Sequence, residues 1–404
     1  MPDRSRSLVV AVALGFTSWE PEFVAALGHP SAGIQVARRC LDCADLLAFA
    51  ATSRVDVFIV NSQLEQLDLE VISELRAHGA AVLVLTADVE EQQRLSGLGA
   101  DRVLFVSAER VAASARAVAS VVRDICQPNQ LTSRAASAET ESAGRVLSVW
   151  GPAGSTGRST VALSVADELA RVGHSCALVD ADQVAPCLDQ LLGVGDGAGS
   201  LDWALRHAAH GDLNRRELLA RMPMSRTGVR LLVSSAAGSV LRPHLWSRVC
   251  DELQQSVEAT VCDLGVLDTF PGVGVDEIAS SPARAATLET IRRSSVRIVV
   301  GSADLVGLAR LMRHLSAVEE AGLLSDARCF VVLSRLSQDD VATLQFIEKH
   351  LVPRAGAVGA HVLALDDDAR ACRAARARAC TLAEVAPKSR LRRDLRHLAE
   401  LVAA

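Results

Sequence analysis

Apolar residues in the first third of the chain fall into short runs separated by stretches of helical spacing. The runs Leu8–Leu14, Gly33–Ala37, Val55–Val60, Ala81–Thr86 and Arg102–Val106 are rich in β-branched residues and predict strands. Between and after them, Glu20–Leu27, Leu41–Ala51, Leu67–His78, Val89–Leu98 and Ala108–Ile125 carry apolar positions at the helical period. Strict alternation of this kind predicts a doubly wound parallel sheet. Residues 127–144 then turn polar, small and aperiodic, which predicts a flexible linker.

The pattern resumes with an apolar run, Val146–Trp150, a Gly-rich stretch, Gly151–Thr160, and a helical stretch, Val161–Ala170. Further strands are predicted at Ser175–Asp182, Val229–Val233, Ala259–Gly265, Val296–Val300, Cys329–Leu333 and Val362–Asp366. Helices are predicted at Leu305–Glu320, Val341–His350, Ala369–Arg378 and Ser389–Ala403. The chain therefore reads as α/β throughout, with two doubly wound parallel-sheet domains, 1–126 and 145–404, on either side of the linker 127–144.

Composition narrows this picture. Half of the 404 residues are apolar, enough for each domain to bury its own core. A formal net charge of −6 gives no reason to expect nucleic acid as the main partner. No apolar run reaches the roughly 18 residues of a membrane span, and the N-terminus lacks a secretory pattern. A cytoplasmic protein is expected. The ten cysteines lie mostly inside apolar runs and read as reduced thiols; the close pair Cys40 and Cys43 has no evident further metal ligands and reads the same way.

Chemistry concentrates in the second domain. A Gly-rich turn between a strand and a helix aims successive backbone N–H groups and the positive end of the helix at one point, where an anion can be held. Here that turn contains Gly154, Ser155, Thr156, Gly157, Arg158, Ser159 and Thr160. The familiar phosphate loop, G-x-x-x-x-G-K-[ST], places a Lys before the Mg2+-binding hydroxyl; Ser159 supplies the hydroxyl, but Arg158 replaces the Lys and Pro152 the first Gly. Two predicted strands end in carboxylates, Asp180 with Asp182, and Asp263. Carboxylates at the C-terminal ends of parallel strands beside such a loop can hold Mg2+ through water or orient an attacking water.

Taken together, Gly151–Thr160, Leu178–Asp182 with Cys187–Gly193, Val261–Gly265 and Thr381–Ser389 resemble the MinD/ParA group of P-loop ATPases. The two-domain layout is similar to its CpaE/TadZ branch and to septum site-determining proteins of actinobacteria, which carry a degenerate receiver in front. The resemblance implies ATP and Mg2+ as cofactors, Asp182 orienting water with support from Asp180, Asp263 holding Mg2+ with Ser159, and a nucleotide-dependent homodimer. It implies a positioning role at a division septum or a pilus or secretion assembly site, with division or secretion machinery as partners and recruitment to membrane, pole or septum.

Departures from the family pattern weaken hydrolysis more than binding. The family's second lysine, which reaches the partner's phosphates, corresponds to Ala153, and the only lysines, Lys349 and Lys388, are far along the chain. Ser334 and Arg335 stand where the family reads the adenine edge. The first domain resembles a response-regulator receiver whose phosphorylatable Asp is Asn61, whose Lys is Ser107, and whose remaining echo is Thr86. A catalytically inactive scaffold recruiting partners through two degenerate domains therefore stays open as an alternative. Two further readings rest on the C-terminal helices. Arg370, Arg373, Arg376 and Arg378, with Arg390, Arg392, Arg393 and Arg396, suggest nonspecific DNA binding but read more simply as solvated faces. Leu391, Leu395, Leu398 and Val402 form an apolar stripe that fits either peripheral membrane contact or core packing.

Overall fold

Short apolar runs without a polar alternation are strands buried on both faces, and parallel pairing between layers of helices is the arrangement that covers them. The computed structural model describes residues 7–126, 144–195, 199–234, 240–269, 271–272, 274, 278–337 and 339–404. Apart from Gly144, the predicted linker lies outside the described residues. The chain divides into two compact units, residues 1–141 with 206–213, and residues 142–205 with 214–404.

In the first unit, β1 (Leu8–Ala13), β2 (Ile34–Arg39), β3 (Val57–Asn61), β4 (Ala81–Thr86) and β5 (Arg102–Phe105) form one sheet in the order β2-β1-β3-β4-β5. Every pairing is parallel, the flavodoxin-like order of a doubly wound sheet. Its core gathers Val10, Val12, Ile59, Leu83 and Leu85 with Phe23 and Val118 from flanking helices, all buried. Aspartates start two of those helices: Asp42 accepts from Asp45 N at 2.7 Å and Asp68 from Val71 N at 2.9 Å.

The second unit contains seven strands: β6 (Arg145–Gly151), β7 (Cys176–Asp180), β8 (Arg230–Leu232), β9 (Ala259–Val266), β10 (Val296–Ser302), β11 (Arg328–Leu336) and β12 (Ala360–Asp366). Their order is β12-β11-β10-β6-β9-β7-β8, all parallel. β6 is central, so the Gly-rich turn after it emerges between β9 and β10. In open α/β sheets ligands bind outside the carboxyl ends of the strands, where the strand order reverses.

Two expectations need correction. The strand predicted to Asp182 ends at Asp180, because the Asp182 carboxylate accepts from Val184 N and Ala185 N and turns the chain. The helix predicted over Val341–His350 changes to a wider turn at Ile347–Leu351; Pro353, which has no N–H to donate, follows two residues after it. Helices Pro243–Ser256 and Pro282–Arg293 are additional. Each begins with proline, a start signal that sequence reasoning passed over.

The C-terminal helix, Arg390–Ala403, settles the use of its apolar stripe. Leu391, Leu395, Leu398 and Val402 are buried in the core of the second unit, so this helix does not offer them to a membrane. Two of its four arginines are also engaged. Arg392 Nε donates to Glu168 Oε1 at 2.7 Å and Arg396 pairs with Glu400 at 3.1 Å. Glu168 lies on the helix that follows the Gly-rich turn, and its side chain is 5% exposed. Removing one partner of a buried pair leaves an uncompensated charge. Arg392→Met is therefore expected to lower unfolding free energy by about 3 kcal/mol, measured by urea denaturation. The double variant Glu168→Gln with Arg392→Met should recover most of the loss. Equal stability of the parent and the single variant would contradict the assignment.

Candidate functional site

The sheet assembles the site at one edge. Asp180 and Asp263 are register partners on neighbouring β7 and β9. The pairing of β6 with β9 shifts between Val149 and Trp150, so β9 carries one extra residue just after Asp263. Gly265 follows with φ +68, and a Cβ there would lie 2.2 Å from Asp182. Only glycine permits both that backbone and the approach of the Asp182 carboxylate. The irregularity in β9 thus brings Asp263, Asp182 and the turn after β6 together.

Within that turn, Ser155 N donates to Pro152 O at 3.1 Å and closes the first bend. Gly157, at φ +94, starts the helix Arg158–Arg171, whose first backbone bond runs from Val161 N to Gly157 O at 2.8 Å. No backbone carbonyl among the described residues accepts from the N–H groups of Thr156, Gly157, Arg158, Ser159 and Thr160. Five unpaired donors in succession, at the positive end of a helix, form an anion cradle.

The acidic side chains complete it. Asp180 Oδ2 accepts from Cys187 N and Leu188 N, each at 2.8 Å, while buried Oδ1 has no partner. Burial pushes the Asp180 carboxyl up to about 7, with Asp263 and Asp182 adding to the rise. Burial likewise raises Asp263 to about 6; a hydrogen bond from Ser159 and the Arg158 charge hold it partly back. Asp263 Oδ2 is buried without a partner. The Cys187 thiol hydrogen-bonds Ser159, and burial raises it to about 11. Open carboxylate oxygens around a serine hydroxyl are hard donors of the kind Mg2+ selects, so the residues present fit a magnesium-bound phosphate.

Every residue predicted for the site belongs to this one edge. Arg158 is tied to the loop itself: its Nη1 donates to Ser155 O at 2.8 Å and Pro152 O at 3.4 Å. The Ser334 hydroxyl donates to Thr156 O at 2.7 Å. The β11–β12 register shifts between Leu333 and Leu336, and Arg335 takes φ +60, which turns both residues toward the loop. A cleft of about 300 Å3 opens beside it, lined by Gly157, Thr160, Arg335, Asp366, Arg373 and Arg376 among others. Arg373 and Arg376 are exposed, as expected of a solvated face, and also border this cleft. Sequence reasoning also missed Cys187 as a neighbour of Ser159, and Arg310, whose Nη1 donates to Ala153 O at 3.3 Å.

The corresponding edge of the first unit is closed by its own side chains. Asn61 Nδ2 donates to Leu14 O at 3.1 Å; Ser62 Oγ donates to Thr86 Oγ1 at 3.2 Å, and Thr86 Oγ1 to Glu91 Oε2 at 3.1 Å. Burial opposes ionisation of Glu91, but hydrogen bonds from Arg94, Ser62 and Thr86 outweigh it and hold the carboxyl below its usual range.

The raised carboxylates give a pH signature. Their neutral forms are favoured in the folded protein, so the site is without electrostatic cost near pH 4, and stability falls as pH rises through about 6 and 7. Metal-free Asp263→Asn is expected to match the parent at low pH and exceed it by about 1–3 kcal/mol near pH 8, measured by chemical denaturation across pH. A parent curve that rises over that range would contradict the assignment.

No protein-family model and no curated sequence matches the chain. Solved structures do. A ParA family ATPase from Chlorobium tepidum is similar at 17% identity and TM-score 0.49, covering 64% of this chain and 98% of that one. MinD in the MinC:MinD cell division complex of Aquifex aeolicus is similar at 10% identity and TM-score 0.46, over 64% and 96%. Cobyrinic acid a,c-diamide synthase of Mycobacterium smegmatis, with bound ADP and magnesium, is similar at 15% identity and TM-score 0.43, over 64% and 94%.

Proposed function

We propose that the second unit binds ATP with Mg2+ at the edge formed by β6, β7 and β9, and that the protein is a nucleotide-dependent positioning factor of the MinD/CpaE kind. The observation that carries this reading is the run of five unpaired backbone donors, Thr156 to Thr160, beside the open oxygen of Asp263. In this role the cradle holds phosphate oxygens, Ser159 and Asp263 hold the metal, Asp182 orients water, and Asp180 fixes the strand end through Cys187 and Leu188. Bound Mg2+ supplies charge neutralisation along the phosphates. The cleft lined by Arg335 and Arg376 takes the base. The first unit acts as a receiver-like contact module, with domain limits of 1–126, a linker at 127–144 and 145–404.

Exposed Val184, Leu305 and Val306 lie on segments that border the site, which supports a second copy as the covering partner. Binding places the protein; turnover is slow, because Arg158 remains tied to its own loop and Ala153 offers no charge to a partner. That same tie favours a second reading, a scaffold that binds no nucleotide.

Equilibrium binding of ATP and ADP with Mg2+, beside Arg158→Ala and a steady-state phosphate-release assay, separates the two. The expected result is micromolar affinity for ATP, weakened about tenfold in the variant, with phosphate release far slower than once per second. Absence of binding up to millimolar ATP would leave the scaffold.

A further inference from the structure

Arg310 has no place in the resemblance or in the mechanism above, yet its guanidinium lies directly on the phosphate loop. Besides the bond to Ala153 O at 3.3 Å, the contact is recorded in the glycine beneath it: a Cβ added to Gly154 would sit 2.0 Å from Arg310 Nη1 and 3.3 Å from Cζ. Gly154 has φ +78, so the loop there is both left-handed and bare, and the arginine occupies the space a side chain would need.

The arm is well anchored. Arg310 stands on the helix Leu305–Glu320, which starts directly beyond β10, the strand hydrogen-bonded to β6 on the side away from β9. Asp304 fixes the start of that helix by accepting from Val306 N at 3.1 Å and Gly307 N at 2.9 Å, and from Ser302 Oγ at 2.5 Å. A Cβ at Gly307 would lie 2.5 Å from Ser302 O, so helix and strand end are in close contact. Arg310 is an exposed residue and, among the described residues, makes no ion pair; its one side-chain bond is to Ala153 O. A cation with most of its donors free, held against Ala153 and Gly154 at the start of the loop whose next residues carry the unpaired N–H groups, is placed for a polyanion.

We infer that Arg310 is a phosphate-binding residue of this loop, supplying from the same chain the positive charge that Ala153 lacks. The inference rests on the reading of the loop as a polyphosphate site. It makes two guanidiniums, Arg158 from inside the loop and Arg310 from the neighbouring helix, the only side-chain cations bonded to loop carbonyls among the described residues. A site so equipped does not need a partner's lysine to bind its ligand.

The test compares the parent with Arg310→Ala, Arg310→Gln and Arg310→Lys in the full chain, using equilibrium binding of ATP, AMP and inorganic tripolyphosphate, with thermal unfolding of the nucleotide-free proteins as a control. Alanine and glutamine are expected to weaken ATP and tripolyphosphate about tenfold, to affect AMP less, and to leave unfolding unchanged. Lysine should retain most of the affinity, and the loss in the alanine variant should shrink at high salt. Unchanged ATP affinity in the alanine variant, or an equal loss in all three variants, would overturn the assignment. Binding of tripolyphosphate but not ATP by the parent would sink the nucleotide reading while Arg310 is still judged on tripolyphosphate. Binding of neither would overturn both.

Discussion

Two buried carboxylates one strand apart are the constraint around which the second unit is built. Asp180 and Asp263 are register partners, and burial raises both toward neutrality. Burying one carboxylate is costly and burying two together is worse, because each disfavours ionisation of the other. The chain makes the arrangement tolerable in specific ways. Two backbone donors at 2.8 Å satisfy one oxygen of Asp180, Gly265 N donates to Asp263 Oδ1, and the extra residue in β9 lets Gly265 yield to Asp182. Each of these devices keeps a carboxylate oxygen in place without neutralising it. A sheet that needed only to fold would carry apolar residues at these strand ends.

The cationic side of the site departs from the usual solution. A lysine at the end of a phosphate loop is a compact charge that fits inside it, whereas a guanidinium is a planar fork that must find room. In this loop Arg158 finds it by bonding Ser155 O and Pro152 O, which stiffens the turn, while its charge still acts on Asp263. In the proposed role the backbone N–H groups do most of the holding, which tolerates that geometry. Hydrolysis is more demanding, since charge develops on the transferred group and stabilising groups must already be aimed at it.

The architecture was legible from hydrophobic spacing alone, because parallel strands buried on both faces leave an unambiguous apolar run. The loop and the three aspartates were legible because each lies at or near the end of such a run, and a parallel sheet collects the C-terminal ends of its strands on one edge; only Asp180 closes its strand, since β9 continues past Asp263 to Val266 and Asp182 lies beyond β7. What could not be read is what depends on distance between segments remote in sequence. Arg310 is 157 positions from the carbonyl it meets, and nothing near it in sequence marks it out. Arg392 looked like one of several solvated arginines, and only the buried Glu168 opposite shows otherwise. The Leu391–Val402 stripe has the same spacing whether it faces lipid or core, so periodicity could not decide between them.

The two units answer one problem in opposite ways. Each carries polar groups at the C-terminal edge of a parallel sheet, where a ligand would enter. In the first, Ser62 and Thr86 are already bonded in a chain that ends on Glu91, and Asn61 is turned to Leu14 O. An internal carboxylate fills the role of an incoming anion, so the edge is complete without one. In the second, backbone donors and carboxylate oxygens are left open, and no group among the described residues closes them. Buried polar groups without partners are expensive, and a chain that satisfies one edge and leaves the other unsatisfied has concentrated its ligand chemistry in the second.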